Sequence, residues 1–267
     1  MAKIVLFFFL AAATAVPAHA ASVTPGEAAW VPLGAAEAAG VRAWFGRRAV
    51  LTQFHDNQWH AIAAIPAGQP PGEYLIRYRA EGGGSRREQF RTFTVGAPRP
   101  FVQVADLRLP AADSSGDAEW WWRDAGVLRR TAVADDRRPQ LRFTPPVDAP
   151  LLFPFDARTP PGAPLASTIG VAFEFAADTA VTAPASAVAA PVRARGCGGG
   201  IILDHGGGLF SIFCGLGEAA QTITPGAQLA QGDAIALLRP PQNATAVVHW
   251  SVRMNGTWIN PAGLVAR

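Results

Sequence analysis

GCGGGIILDHGGGLFSIFCGL, Gly196 to Leu216, is the stretch on which the fold reading turns. Ile201, Ile202 and Leu203 make one apolar run and Leu209 to Phe213 another, with Gly206, Gly207 and Gly208 between them. Two such runs joined by residues that accept positive φ predict a β-hairpin. Downstream, ITPGAQLAQGDAIALL (Ile223 to Leu238) sets Gly226 and Gly232 six apart. That spacing predicts a short strand bracketed by tight turns. AVVHWSV (Ala246 to Val252) reads as a further strand with His249 and Ser251 on one face and Trp250 and Val252 on the other. Asn255-Gly256 after it is a strong hairpin signal.

In order and spacing these segments resemble the β-core of the lysostaphin or LytM-type zinc metallopeptidases, which cut peptide cross-links in bacterial cell walls. The resemblance runs through Gly196 to Gly206, Phe213 to Leu216, Pro225 to Ala236 and Val247 to Gly256 with Pro261. It extends back to FPFDAR at Phe153 and TIGVAFEFAADTAVTAPASAV at Thr168. The family pattern HxGxD falls on Thr168, Ile169, Gly170, Val171 and Ala172, and HxH on Val247, Val248 and His249. The resemblance therefore implies metal-ligand positions at Thr168, Ala172 and His249, of which His249 alone keeps its donor. The family's catalytic histidines fall on Gly215 and Val247. One imidazole does not hold Zn²⁺ against water, and threonine and alanine supply no replacement donor of the usual kind.

The expectation is thus a retained scaffold with a dismantled site, with no cofactor, and zinc as the alternative. His249, Ser251, Thr168 and Asp204 or His205 are expected to line a remnant groove. His205, which is not a ligand in the family pattern, is expected to be structural. An active endopeptidase would need substitute ligands, such as Glu174 or His205 beside His249.

The two cysteines, Cys197 and Cys214, lie on the two arms of the glycine hairpin, and counting outward from its turn brings them nearly opposite each other. In an exported protein that placement predicts a disulfide, the alternative being two buried thiols.

The export expectation comes from residues 1–20. Lys3 provides a positive start, Ile4 to Ala13 an apolar run, and Ala18-His19-Ala20 an AxA-type cleavage site. A periplasmic or secreted protein follows, with no membrane association after cleavage. Removing 20 of 267 residues leaves about 247, enough for two domains. High glycine and proline content, 27 and 23 residues, favours short strands joined by turns. A net charge of +3 spread along the chain gives no basis for nucleic-acid binding. The arginine pairs at 47–48, 86–87, 129–130 and 137–138 read as solvated surface.

The predicted class is all-β. Residues 21–95, with VRAWF, HAIAAI, EYLIRYRA and QFRTFTV as strands, are expected to form an immunoglobulin-like sandwich. This segment also resembles a module found before the core in some LytM-type proteins. Within it, FHDNQWH brings His55, Asp56 and His60 close in sequence, and a polar strand-to-strand turn is the expectation over a metal site. Residues 96–150 form the expected linker, with a helix from Ser114 or Ser115 to Arg130 carrying Trp120, Trp121 and Trp122. Residues 151–267 form the LytM-type antiparallel core. The functional expectation is a non-enzymatic protein that binds peptidoglycan or a cell-wall hydrolase. Two alternatives stand beside it: an active zinc endopeptidase with non-standard ligands, and a structural or adhesive module.

Overall fold

The computed structural model describes residues 22–82, 87–102, 141–156, 169–190, 199–217, 223–240 and 244–265. The expected signal segment, the expected linker helix with its three tryptophans, Thr168 and Cys197 lie outside them. Among the described residues every regular element is a strand, apart from a 3-10 turn at Pro261–Gly263 capped by the Asn260 side chain. No helix among the described residues is long and apolar enough to cross a membrane.

The N-terminal strands are β1 (Ser22–Val23), β2 (Ala28–Pro32), β3 (Gly40–Phe45), β4 (Arg48–His55), β5 (Gln58–Ala64), β6 (Gly72–Glu81) and β7 (Gln89–Val95). They follow one hydrogen-bonded path, β1-β7-β6-β3-β4-β5-β2, with β1 and β7 parallel. Along this path β4 pairs with β3 through residues 48–50 and with β5 through residues 51–55. At its far end the predicted polar turn forms: Asp56 and Asn57 adopt φ of 48° and 60° and close the β4–β5 hairpin. Asx side chains tolerate that left-handed geometry.

The run HAIAAI explains how this module joins the next. Alternate residues of a strand face opposite sides, and on β5 Ala61 and Ala63 enter the N-terminal core with Val31, Ile76, Tyr78 and Phe93. Ile62 and Ala64 enter the second core instead. Burial on both faces is why the run is continuously apolar. Trp30 and Leu51, the cross-strand neighbours of Ile62, pack on the second core from the same side.

That second core belongs to β8 (Leu151–Phe153), β9 (Val171–Phe175), β10 (Thr179–Thr182), β11 (Ala187–Ala189), β12 (Gly200–Gly206), β13 (Leu209–Cys214), β14 (Gln228–Leu229), β15 (Ala234–Leu238), β16 (Ala246–Met254) and β17 (Thr257–Ile259). The main sheet runs β14-β11-β12-β13-β16-β9-β8, β17 adds to β16, and β10 pairs with β15. Both predicted glycine turns form: Gly207 and Gly208 link β12 to β13, and Asn255 and Gly256 link β16 to β17, all with positive φ. The short strand predicted between Gly226 and Gly232 is β14. Residues 141–150, expected in the linker, are built into this core. Leu141, Phe143 and Val147 are buried, and Phe143 N–H donates to Leu264 O at 2.9 Å.

Candidate functional site

β16 is the spine of the site. Its Val248, Trp250, Val252 and Met254 face the large core. By strand alternation His249, Ser251 and Arg253 take the other face. His249 lies directly between Ala172 of β9 and Cys214 of β13, and Val247 lies opposite Glu174. The positions carrying HxGxD and HxH in the resemblance are therefore cross-strand neighbours, as a shared metal site requires. Beside the His249 imidazole, Ala172 offers a methyl group and Val247 an isopropyl group.

The other donors near His249 do not complete a metal set. Cys214 is disulfide-bonded, so its sulfur is no thiolate. Glu174 lies on the His249 face, one register step away, and its Oε1 accepts a 2.8 Å hydrogen bond from Thr245 Oγ1. Among the described residues no three His, Cys, Asp or Glu side chains converge to hold a metal ion. The described residues do not fit a three-ligand zinc site. His249 is 7 % exposed and Ser251 is buried beside it.

Gly215, at the end of β13, has φ of 83°. A Cβ built there would come within 2.3 Å of Val247 O. This backbone has no room for any side chain where the resemblance puts a catalytic histidine.

The groove expectation needs one correction. His205 does not share a face with His249. Its ring packs 4.9 Å from Phe143 on the large-core side and is 3 % exposed. His205 Nδ1 lies 3.0 Å from Ser186 O, and Nε2 lies 2.9 Å from Ser211 Oγ. A carbonyl only accepts, so Nδ1 carries the proton and Nε2 accepts from the Ser211 hydroxyl. Ser211 Oγ in turn accepts from Trp250 Nε1–H at 3.2 Å. The physical reason is strand alternation: Ile201 and Leu203 face the large core, and His205, two residues further along β12, follows them into the Trp250 layer. Asp204, opposite Phe210, uses Oδ1 to accept from Gly206 N–H at 2.8 Å. It supports the hairpin turn as an Asx side chain does.

The His55, Asp56 and His60 trio forms a hairpin end. His55 Nε2 lies 3.3 Å from Asp56 Oδ2, and the two histidine rings flank Trp30 edge-on at 6.4 and 6.1 Å. Burial lowers the pKa of His60. The nearby His55 also lowers it, while the Gln58 backbone and Asp56 pull it up. A histidine whose pKa is depressed by folding binds fewer protons in the native state. Its contribution to stability is complete above about pH 6.5 and is lost as pH falls below that value. The urea midpoint should therefore drop between pH 7 and pH 5, and by less in His60→Gln. Equal drops in the two proteins would refute the assignment.

Residues that sequence reasoning missed lie between the two modules. Trp30, Gln53, His55, Leu141 and Arg142 line a cleft of about 330 Å³. No motif marks them, because they come from three separate segments.

Residues 166–261 match the model of peptidase family M23. Among solved structures the chain is similar to a candidate M23 peptidase from Pseudomonas aeruginosa, at 25% identity and a TM-score of 0.62, over 91% of this chain and 94% of that one. It is also similar, with TM-scores of 0.40, to Helicobacter pylori Csd3 and to a zinc-containing peptidase from Vibrio cholerae. The first shares 12% identity over 74% of this chain and 51% of that one, the second 9% over 82% and 86%. No curated protein matches the chain. The sheet that brings Ala172, Gly215, Val247 and His249 together thus lies within the segment, residues 166–261, that matches peptidase family M23 and supports the LytM-type resemblance.

Proposed function

We propose that this chain is a non-catalytic LytM-like protein of the periplasm or cell exterior, which binds peptidoglycan or a wall hydrolase. The observation that carries the reading is the pair Ala172 and His249: adjacent across the sheet, they offer one imidazole where the family chemistry needs three donors. Gly215 strengthens it, because its backbone rejects the side chain that would stabilise an oxyanion or move a proton. The Cys214 disulfide, which we pair with Cys197, suits an oxidising compartment.

Glu174 beside His249 is the one feature favouring an active enzyme with altered ligands. Metal analysis of the purified protein after zinc exposure and exhaustive dialysis separates the two readings. The expected result is no retained zinc, the same content in His249→Ala, and sedimentation with purified peptidoglycan or a co-purified hydrolase. Roughly one zinc per chain, lost in His249→Ala and in Glu174→Gln, would replace the proposal with the enzyme. Chelator-sensitive cleavage of peptidoglycan would do the same.

A further inference from the structure

The cleft between the modules is walled on its apolar side by Trp30 and Leu141. Its volume of about 330 Å³ falls within the usual range of small-ligand sites, about 300–1,000 Å³. The polar side comes from Gln53 and His55 of β4 and from Arg142. Gln53 Oε1 is buried without a hydrogen-bond partner. Buried polar atoms are rarely left so, since each forgoes its hydration. Arg142 has its backbone fixed by Gln231 Nε2, which donates to Arg142 O at 3.0 Å. Its guanidinium is exposed at the cleft, and no carboxylate among the described residues pairs with it.

The Gln53 carbonyl lacking a donor on one wall and a guanidinium lacking an anion among the described residues on another call for one molecule carrying both complements. The geometry points to a site for a terminal amino-acid unit, an α-carboxylate with an N–H group one carbon away. The carboxylate pairs with Arg142, for which a guanidinium gives bidentate geometry. The N–H donates to Gln53 Oε1, and the side chain of the unit lies against Trp30 and Leu141. A peptide C-terminus and a free amino acid share this chemistry. The site does not rest on the reading of the His249 face, because Leu141 and Trp30 pack on the large core, on the opposite side of the main sheet.

The test is calorimetric titration of the full chain with three probes: N-acetylalanine, free alanine and N-acetylalaninamide. Saturable binding of N-acetylalanine with loss of binding by the amide is expected, and binding of free alanine as well would widen the site to free amino acids. Arg142→Gln, an exposed position that leaves the core intact, should raise the Kd for N-acetylalanine roughly tenfold or more. Gln53→Leu should weaken binding by a smaller factor. Absence of binding by both carboxylates, equal binding of the amide, or an unchanged Kd in Arg142→Gln would overturn the site.

Discussion

Trp250→Ala should lower the unfolding free energy by about 3–5 kcal/mol, the usual cost of truncating a fully buried tryptophan. Trp250 is 1 % exposed and stacks on Phe213 at 6.1 Å with an interplanar angle of 4°. Phe143 stacks on it at 6.0 Å and 29°. Because Phe143 lies in the segment before the main sheet and Phe213 on β13, one indole ties three parts of the core. Its Nε1–H also donates to Ser211 Oγ, so truncation removes a donor from the Ser211–His205 network. For a chain of this size the loss corresponds to a fall in melting temperature of roughly 10 °C. Trp258 provides the control. It is half-buried with Arg253 over its ring at 5.6 Å, and its truncation should cost distinctly less. Equal losses at the two positions would show that the stack does not organise the core.

Gly215→Ala should cost about 3 kcal/mol, combining left-handed strain of about 1–2 kcal/mol with the displacement of a strand backbone. The atom in the way is Val247 O, part of the sheet and unable to rotate aside. Gly217 separates the two contributions. Its φ is also positive, 56°, but an added Cβ meets nothing within 4 Å. Gly217→Ala should therefore show the strain alone. Chemical denaturation of both variants measures the difference. If the two destabilise equally, the close approach of β13 to β16 at Gly215 is wrong. The same contact predicts that Gly215→His does not rebuild a catalytic position, since a histidine needs a Cβ before it can present an imidazole.

The strands of the C-terminal core were legible because their signals are local. Gly207-Gly208 and Asn255-Gly256 adopt the positive φ that makes them turns, and a turn fixes the register of the strands it joins. Alternation then put His249 and Ser251 on one face of β16 without any coordinates. His205 was expected to be structural and was also placed in the groove, whereas it lies on the opposite face of the sheet. Alternation from Ile201 and Leu203, both in the large core, carries His205 to that core and leaves Asp204 on the other face, so the two neighbours cannot line one groove. The run HAIAAI was legible as a strand, whereas its role as the wall between two cores was not, because burial on both faces depends on what packs from outside.

The sequence by itself determined the all-β class, the glycine turns, the likeness of the C-terminal segment to the LytM-type family, and the absence of a ligand side chain at Ala172 and of a histidine at Val247. These are matters of residue identity and short-range backbone preference. Only the tertiary structure decided that His249 faces Ala172 and Cys214, that Gly215 abuts Val247 O, and that Trp30, Gln53 and Arg142 meet in one cleft. Each of those contacts joins residues far apart in the chain. Their meeting is set by sheet order and core packing, which the whole chain decides together.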